Sequence, residues 1–272
     1  MKFNILIVGI GGQGVVLIAD ILRQYLFSTY PNATITGTES RGVSQREGSV
    51  IASIRFDDEN NNIGPEIPKN NADLIIALEP IELMRYLDYS NENTIVILNR
   101  AQIIPKNALP SIQKNVQENE KFKPFYLDQK KIVEKISNIL LEFFKSSKSM
   151  DIGKETDSKP ICYISWDHKK QTSKKSSRRE NHIESFSAFK NLIDVDLSNY
   201  CLKSLDSLKM LNFLTLGFTI KLVESPLKYE ELMKFLSIHF NLDEKSKRKI
   251  TPNLTAMDLG AKYAEDFMQK IE

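Results

Sequence analysis

Residues 8–14 read VGIGGQG and separate two apolar runs, Ile5–Ile7 before them and Val15–Ile18 after them. The first run belongs to a short apolar segment that ends in glycine, which is typical of a strand buried on both faces. From Gly14 to Phe27 the apolar residues recur at helical spacing. This part of the chain therefore predicts a strand, a tight glycine turn and a helix, in that order.

The glycines of this turn fit a known binding pattern. Gly9, Gly11 and Gly14 form a G-x-G-x-x-G match, with Gly12 and Gln13 inside it. Between a strand and a helix, such glycines allow a tight turn, the close approach of an anionic group and close packing of the helix on the strand. The free N–H groups of the helix N-terminus also attract negative charge. A turn that serves packing only remains the alternative.

Further apolar runs predict more strands and helices along the chain. The predicted strands are 33–38, 49–56, 73–78, 94–98 and 191–195. The predicted helices are 80–87, 129–145, 207–223, 228–240 and 253–270. Strands that alternate with helices indicate a mainly parallel sheet. We therefore expect a single α/β domain over residues 1–272, a Rossmann-like doubly wound fold with C-terminal helices.

Two segments depart from the plain alternation. Residues 49–56 alternate apolar and polar residues better than the other runs, which favours a place nearer an edge of the sheet or in a hairpin. Residues 146–190 are rich in Ser and Lys, and a basic run from Lys169 to Arg179 has no intervening acid. We expect a flexible surface insertion here, and "ICYISW" at 161–166 as one strand within it.

Polar residues are dense where predicted strands end, which is where ligands and partners approach an open α/β sheet. The loop after the second predicted strand reads ESRGVSQREG over residues 39–48. Glu79 follows the strand 73–78 in the same way. Together with the glycine turn, these ends give the candidate binding residues: Gly9, Gly11, Gly12, Gln13, Gly14, Glu39, Ser40, Arg41, Gly42, Ser44, Gln45, Arg46, Gly48 and Glu79. An ordinary polar loop of chance composition is the alternative for residues 39–48.

Several stretches resemble one family. GIGGQG at 9–14, ESRGVSQREGSV at 39–50, ADLIIALEP at 72–80 and VILN at 96–99 look like indolepyruvate ferredoxin oxidoreductase beta subunits, within the gamma-type domain of 2-oxoacid:ferredoxin oxidoreductases. The resemblance continues through Asn212, Gly217, Asn253 and Gly260, in the order that the family shows. It covers nearly the whole chain outside residues 146–190.

The resemblance implies a small subunit of an enzyme that oxidatively decarboxylates aryl 2-oxoacids. Coenzyme A would accept the acyl group and ferredoxin the electrons. Thiamine diphosphate, Mg and the 4Fe-4S clusters would belong to a large alpha subunit, so we expect no catalytic residue and no activity in this chain alone. The family usually has glycine where Glu47 stands, and this departure puts the local site in doubt.

Other functions stay open at this stage. A nicotinamide- or flavin-binding enzyme is the first alternative, because Glu39 follows the second predicted strand, where a ribose-binding acid would belong. An adenylating enzyme of the ubiquitin-activating type also uses a G-x-G-G-x-G turn, but it usually has zinc-binding cysteine pairs. A nucleic-acid-binding module is disfavoured, because the basic run lacks interleaved aromatic residues.

Composition limits the remaining classes. A formal net charge of +2 does not by itself imply a nucleic-acid or membrane partner. The 2 cysteines exclude a 4Fe-4S cluster held by this chain alone, which needs about four thiolates. A zinc site from Cys162, His168, His182 and Cys201 has the wrong spacing, and Cys201 is expected to pack as a buried hydrophobe. With no signal-peptide pattern and no span-length apolar run, we expect a cytoplasmic protein.

Overall fold

The structure is a computed structural model that describes residues 1–42, 48–101, 161–166, 188–223, 226–239 and 244–269, and also 132, 135, 136, 138 and 139. Most of the helix predicted over 129–145 therefore lies outside the described residues, as does most of the predicted insertion. The described residues 132, 135, 136, 138 and 139 are helical, in agreement with that prediction.

One sheet organises the part of the chain that the structure describes. Its strands are β1 (Lys2–Ile10), β2 (Thr34–Thr36), β3 (Glu39–Arg41), β4 (Ser49–Asp57), β5 (Leu74–Ala77), β6 (Ile95–Asn99), β7 (Ile161–Trp166) and β8 (Ala188–Val195). The strand order is β2-β4-β1-β5-β6-β8-β7, and β3 also pairs with β4. The pairs β1-β5, β5-β6, β6-β8 and β8-β7 are parallel. In contrast, β4 is antiparallel to β1, β2 and β3. The predicted mainly parallel sheet is confirmed.

The one antiparallel interior strand, β4, explains the alternation seen at 49–56. It lies between β1 and the short edge strands, and Ser49 is level with Ile10 at the carboxyl end of β1. Arg41 pairs with Val50, so β3 and β4 form the arms of a hairpin. The predicted strand 33–38 is shorter than expected, because β2 ends at Thr36. At Gly37 the backbone comes so close to β4 that a Cβ there would lie 2.1 Å from the Ser53 carbonyl oxygen.

Besides the helical residues between 132 and 139 that are described, six helices with described bounds accompany the sheet: α1 (Val15–Thr29), α2 (Pro80–Arg85), α3 (Leu197–Leu205), α4 (Leu211–Leu222), α5 (Tyr229–His239) and α6 (Glu244–Met268). A 3-10 turn at Leu87–Tyr89 follows α2. The helix predicted from 253 begins much earlier, at Glu244. Residues 244–249 read EKSKRK and contain no apolar residue, so periodicity could not reveal this part of the helix.

Apolar side chains cover both faces of the sheet, as a doubly wound fold requires. One cluster joins the Ile5 and Ile7 face of β1 to α1, α4, α5 and α6. The other joins Leu6 and Val8 to Leu83 of α2 and to the helical residue Ile136. Alternate residues of β1 therefore belong to different cores, which is why its apolar run is continuous.

Two glycines allow the closest helix contact in the described structure. A Cβ on Gly217 of α4 would lie 2.0 Å from the Met257 carbonyl oxygen of α6. A Cβ on Gly260 of α6 would likewise lie 2.0 Å from the Leu214 carbonyl oxygen of α4. Because the two backbones touch, α4 is buried nearly all round, as its uniformly apolar sequence predicts.

A buried ion pair joins β6 to β8. The Arg100 guanidinium, which directly follows β6, donates from Nη2 to Asp194 Oδ2 at 2.7 Å and from Nε to both carboxylate oxygens at 3.0 Å. Asp194 is 1% exposed. This bidentate geometry fixes the register of two strands that are far apart in the chain.

Candidate functional site: the carboxyl rim of the sheet

The glycine turn and the β3–β4 hairpin form a cleft of about 650 Å³ at the carboxyl end of β1. Among the residues that the structure describes, its lining consists of glycines, aliphatic residues and one arginine: Ile10, Gly11, Gly12, Gly14, Val15, Val16, Arg41, Gly42 and Val50. Glycine backbone, a helix N-terminus and a guanidinium together suit an anionic ligand. The structure thus brings together Gly11, Gly12, Gly14, Arg41 and Gly42, as the sequence predicts.

Two glycines of the turn have a left-handed backbone. Gly12 has φ 98° and Gly14 has φ 85°, and Gly14 is the N-cap of α1. A Cβ on Gly14 would also lie 2.7 Å from Asn212 Nδ2 of α4, whereas a Cβ on Gly12 would meet nothing within 4 Å. Gly14 therefore serves both the turn and the packing of α1 on α4, while Gly12 faces open space.

The side-chain amide of Gln13 forms hydrogen bonds with main-chain groups of the same chain. Its Oε1 accepts a hydrogen bond from the Ile10 N–H at 2.8 Å, and its Nε2 donates to the Leu78 carbonyl oxygen at 3.1 Å. Gly9 makes room for this arrangement, because a Cβ there would lie 2.7 Å from Gln13 Oε1. Gln13 thus joins the turn after β1 to the end of β5.

The same carbonyl is bound from the other side by Asn99, the last residue of β6. Asn99 Nδ2 donates to the Leu78 carbonyl oxygen at 3.3 Å and to Ser198 Oγ at 3.0 Å. Asn99 Oδ1 accepts from the Ser198 N–H at 3.2 Å, in the first turn of α3. Side-chain hydrogen bonds therefore connect the turn after β1, the ends of β5 and β6, and the first turn of α3.

The base of the hairpin is fixed by two backbone hydrogen bonds. Gly11 N–H donates to the Gly48 carbonyl oxygen at 2.8 Å, and Gly42 N–H donates to the Ser49 carbonyl oxygen at 2.7 Å. Ser40 is exposed on β3. The predicted site residues Ser44, Gln45 and Arg46, and also Glu47, lie outside the described residues.

Glu39 does not border the cleft. Its carboxylate forms an ion pair with Arg23 of α1 and lies 3.7 Å from Arg41 Nη2. The antiparallel strand β4 lies between β3 and β1, so Glu39 is separated from the glycine turn by a whole strand. A ribose-binding acid follows a strand parallel to β1, next to the turn. The topology therefore disfavours the nicotinamide alternative.

Glu79 is at the predicted rim but is buried, with 2% exposure. It is the N-cap of α2, and its Oε2 accepts from the Glu82 N–H at 2.8 Å. Glu82 Oε2 in turn accepts from Ser49 Oγ at 2.6 Å. Glu79 thus shapes the helix that holds the start of β4, and it does not border the cleft.

Sequence reasoning missed three residues of the rim: Asn99, Ser198 and Asn212. Asn99 ends the stretch VILN, and Asn212 lies in MLNFLTLG, so both stood within the quoted resemblance. A buried asparagine at the end of a strand was the signal, because such a side chain needs hydrogen-bond partners. Ser198 gave no such signal.

Cysteine and metal chemistry are limited in the part of the chain that the structure describes. Cys201 is buried, its Sγ donates to the Ser207 carbonyl oxygen at 3.0 Å, and burial raises its pKa. The expected hydrophobic packing of Cys201 is confirmed. The described residues contain no group of three or more His, Cys, Asp or Glu side chains that fits a metal ion. His168 and His182 lie outside those residues. None of the described helices has the length and apolar character needed to cross a membrane.

Sequence comparison finds related proteins. The chain is 34% identical over 148 residues to indolepyruvate oxidoreductase subunit IorB of Archaeoglobus fulgidus, which is 52% of this chain and 71% of that protein. The Pyrococcus horikoshii protein of the same name is 31% identical over 148 residues, or 51% of this chain and 71% of that protein.

Solved structures share the fold. The keto/oxoacid ferredoxin oxidoreductase gamma subunit from Geobacter sulfurreducens has a TM-score of 0.50 at 12% identity, over 97% of this chain and 99% of that one. The 2-oxoglutarate:ferredoxin oxidoreductase from Magnetococcus marinus, solved with 2-oxoglutarate, coenzyme A and succinyl-CoA bound, has a TM-score of 0.54 at 13% identity, over 97% of this chain and 31% of that one. Residues 4–146 match the family described as pyruvate ferredoxin/flavodoxin oxidoreductase. The chain belongs to the pyruvate ferredoxin/flavodoxin oxidoreductase family.

Proposed function

We propose that this chain is the small subunit of an indolepyruvate, or related aryl 2-oxoacid, ferredoxin oxidoreductase. The names of its relatives support this function directly. The observation on the molecule itself that supports it most is the open cleft between the glycine turn and Arg41 at the carboxyl rim. An open cleft of main-chain groups can complete a site whose reactive groups lie on another protein.

In this proposal the partner is a large alpha subunit. It would hold thiamine diphosphate with Mg and the 4Fe-4S clusters, and it would pass electrons to ferredoxin. This chain would contribute the rim beside coenzyme A, with Gly12 and Arg41 as the contacts to anionic groups, while the Gly11 N–H holds the Gly48 carbonyl oxygen. No residue of this chain is assigned a step in bond making or breaking.

Reconstitution tests the proposal. The chain should co-purify with a large thiamine-binding subunit, and the complex should reduce ferredoxin with indolepyruvate in a coenzyme A-dependent reaction. The chain alone should show no turnover. Turnover of an aryl 2-oxoacid by the isolated chain, or full activity of the large subunit without it, would contradict the proposal.

A cleft variant separates binding from folding. Arg41 is exposed, so Arg41→Ala should leave the melting temperature unchanged. In the complex it should raise the KM for coenzyme A, because a cation that faces an anionic ligand is lost. Arg85→Ala, which removes another exposed arginine that does not border the cleft, is the matched control. Saturable binding of NAD or NADP by the isolated chain would instead favour the nicotinamide alternative.

A further inference from the structure

The hydrogen bonds of Gln13 suggest a role that differs from direct ligand contact. Both the oxygen and the nitrogen of its amide bind main-chain groups, at Ile10 and at Leu78. These bonds span the turn itself and the neighbouring strand end. The side chain is therefore used to hold the backbone of the turn in one conformation.

The chain provides space for that conformation. The 2.7 Å distance from a Cβ on Gly9 to Gln13 Oε1 means that any side chain at residue 9 would displace the amide. Gly9 and Gln13 therefore depend on each other. A Gln at 13 without a Gly at 9 could not make the bond to Ile10 in this geometry.

The conformation of the turn also determines the wall of the cleft. Gly11 and Gly12 line the cleft, and Gly11 N–H binds the Gly48 carbonyl oxygen at the base of the hairpin. A change in the turn would therefore move both the glycine main chain and the start of β4. A binding site made of main-chain groups depends on such preorganisation for its affinity.

We propose that Gln13 is a positioning residue, which fixes the glycine turn so that its main-chain groups can bind the anionic part of coenzyme A. This inference rests on the proposed function of the complex. Gln13 itself does not touch the ligand in this arrangement. It acts through the turn, in which Gly11 binds Gly48 and Gly12 lines the cleft.

Kinetics of the assembled complex test this role. Gln13→Met keeps the length of the side chain but loses both hydrogen bonds. It should raise the KM for coenzyme A roughly three- to tenfold, the range that one or two net hydrogen bonds represent, and leave kcat within about twofold. Gly9→Ala should raise the KM for coenzyme A in the same direction, because its Cβ displaces the Gln13 amide and also lies 3.0 Å from Val15 Cγ2.

The matched control lies at the opposite end of the sheet. Thr94 is buried, and its Oγ1 donates to the Ala72 carbonyl oxygen at 2.6 Å and accepts from the Asn91 N–H at 2.7 Å. Thr94→Val should lower the melting temperature about as much as Gln13→Met does, yet leave the KM for coenzyme A unchanged. An unchanged KM in Gln13→Met, or an equal rise in Thr94→Val, would overturn the inference.

A second measurement does not depend on the partner. In the isolated full chain, amide hydrogen exchange at Ile10 and Gly11 should be faster in Gln13→Met and unchanged in Thr94→Val. Unchanged exchange in Gln13→Met would overturn the positioning role. If the wild-type complex shows no coenzyme A-dependent activity while exchange behaves as expected, the proposed function fails and the structural role of Gln13 stands.

Discussion

Gln13 and Asn99 donate side-chain hydrogen bonds to the same main-chain oxygen, the carbonyl of Leu78, from the ends of the two strands that pair with β5. One follows β1 and the other ends β6, so the carbonyl at the end of β5 holds three strand ends together. A carbonyl oxygen can accept two such bonds through its two lone pairs. Polar side chains at the carboxyl ends of the strands are thus connected by hydrogen bonds, next to the two apolar cores.

Removing Asn99 tests how much this layer stabilises the fold. Asn99→Leu should lower the free energy of unfolding by about 1–3 kcal/mol, because the buried Leu78 carbonyl and the Ser198 N–H lose hydrogen-bond partners. Urea denaturation followed by circular dichroism measures the change. Asn62→Leu, at an exposed position, is the control and should stay within about 0.5 kcal/mol of wild type. Equal stability of the two variants would contradict this account of the rim.

The two left-handed glycines of the turn should respond differently to alanine. Gly12→Ala should cost about 1–2 kcal/mol, the cost of a left-handed backbone for an L residue. Gly14→Ala should cost more, because its Cβ would also meet Asn212 Nδ2 at 2.7 Å. Equilibrium unfolding of both variants measures the difference. The double variant Gly14→Ala/Asn212→Ala should recover part of the loss, and failure to do so would refute the contact as the cause.

Alanine at the crossing of α4 and α6 should be among the most damaging small changes. Gly217→Ala places a methyl group 2.0 Å from the Met257 carbonyl oxygen, which is backbone and cannot rotate away. We expect a loss of about 3 kcal/mol or more, seen as a lower urea midpoint or as insoluble protein. Gly64→Ala is the control, because a Cβ there meets nothing within 4 Å. A Gly217→Ala variant as stable as Gly64→Ala would show that the helices do not cross this closely.

Tyr25 should make the fold sensitive to alkali. Burial raises the pKa of Tyr25 to about 12 from its ordinary value of 10.0. Below pH 10 the phenol is protonated in both states, so its contribution is constant. Between pH 10 and pH 12 the unfolded chain ionises first, and stability is lost as the pH rises.

Tyr25→Phe should therefore flatten the fall in urea midpoint between pH 10 and pH 12. Burial also raises the pKa of Tyr200 and Tyr229, so part of the alkaline slope should remain. The comparison with wild type at pH 7 serves as the control for lost packing and hydrogen bonds. An identical alkaline slope in Tyr25→Phe and wild type would exclude Tyr25 as a source of the effect.

The sequence predicts the fold well where a single local rule decides the structure. The continuous apolar run before Gly9 predicts β1, the glycine pattern predicts the turn, and the uniformly apolar run predicts a buried α4. Strand pairing is harder to predict, because the alternation at 49–56 favours a strand at an edge or in a hairpin but does not name its neighbours. β4 is antiparallel to β1, β2 and β3, and its pairing with β1 joins segments that are far apart in the chain.

The candidate binding site was predicted less completely than the fold, because the spacing of residues in the sequence does not determine where each side chain points. Glu39 and Glu79 follow predicted strands and are therefore expected to border the binding site, but Glu39 binds Arg23 and Glu79 caps α2. Asn99 was not singled out, although it binds two parts of the rim. Whether a polar side chain faces a ligand or forms hydrogen bonds within the fold depends on residues that are far away in the sequence.

The ion pair of Arg100 with Asp194 has a consequence for how this protein can change in evolution. It secures β6 against β8, and the chain between those strands includes residues 102–160 and the added edge strand β7. Losing one of the two charges while keeping the other would leave a charge in a largely buried position without this ion pair. We therefore expect Arg100 and Asp194 to be kept or replaced together.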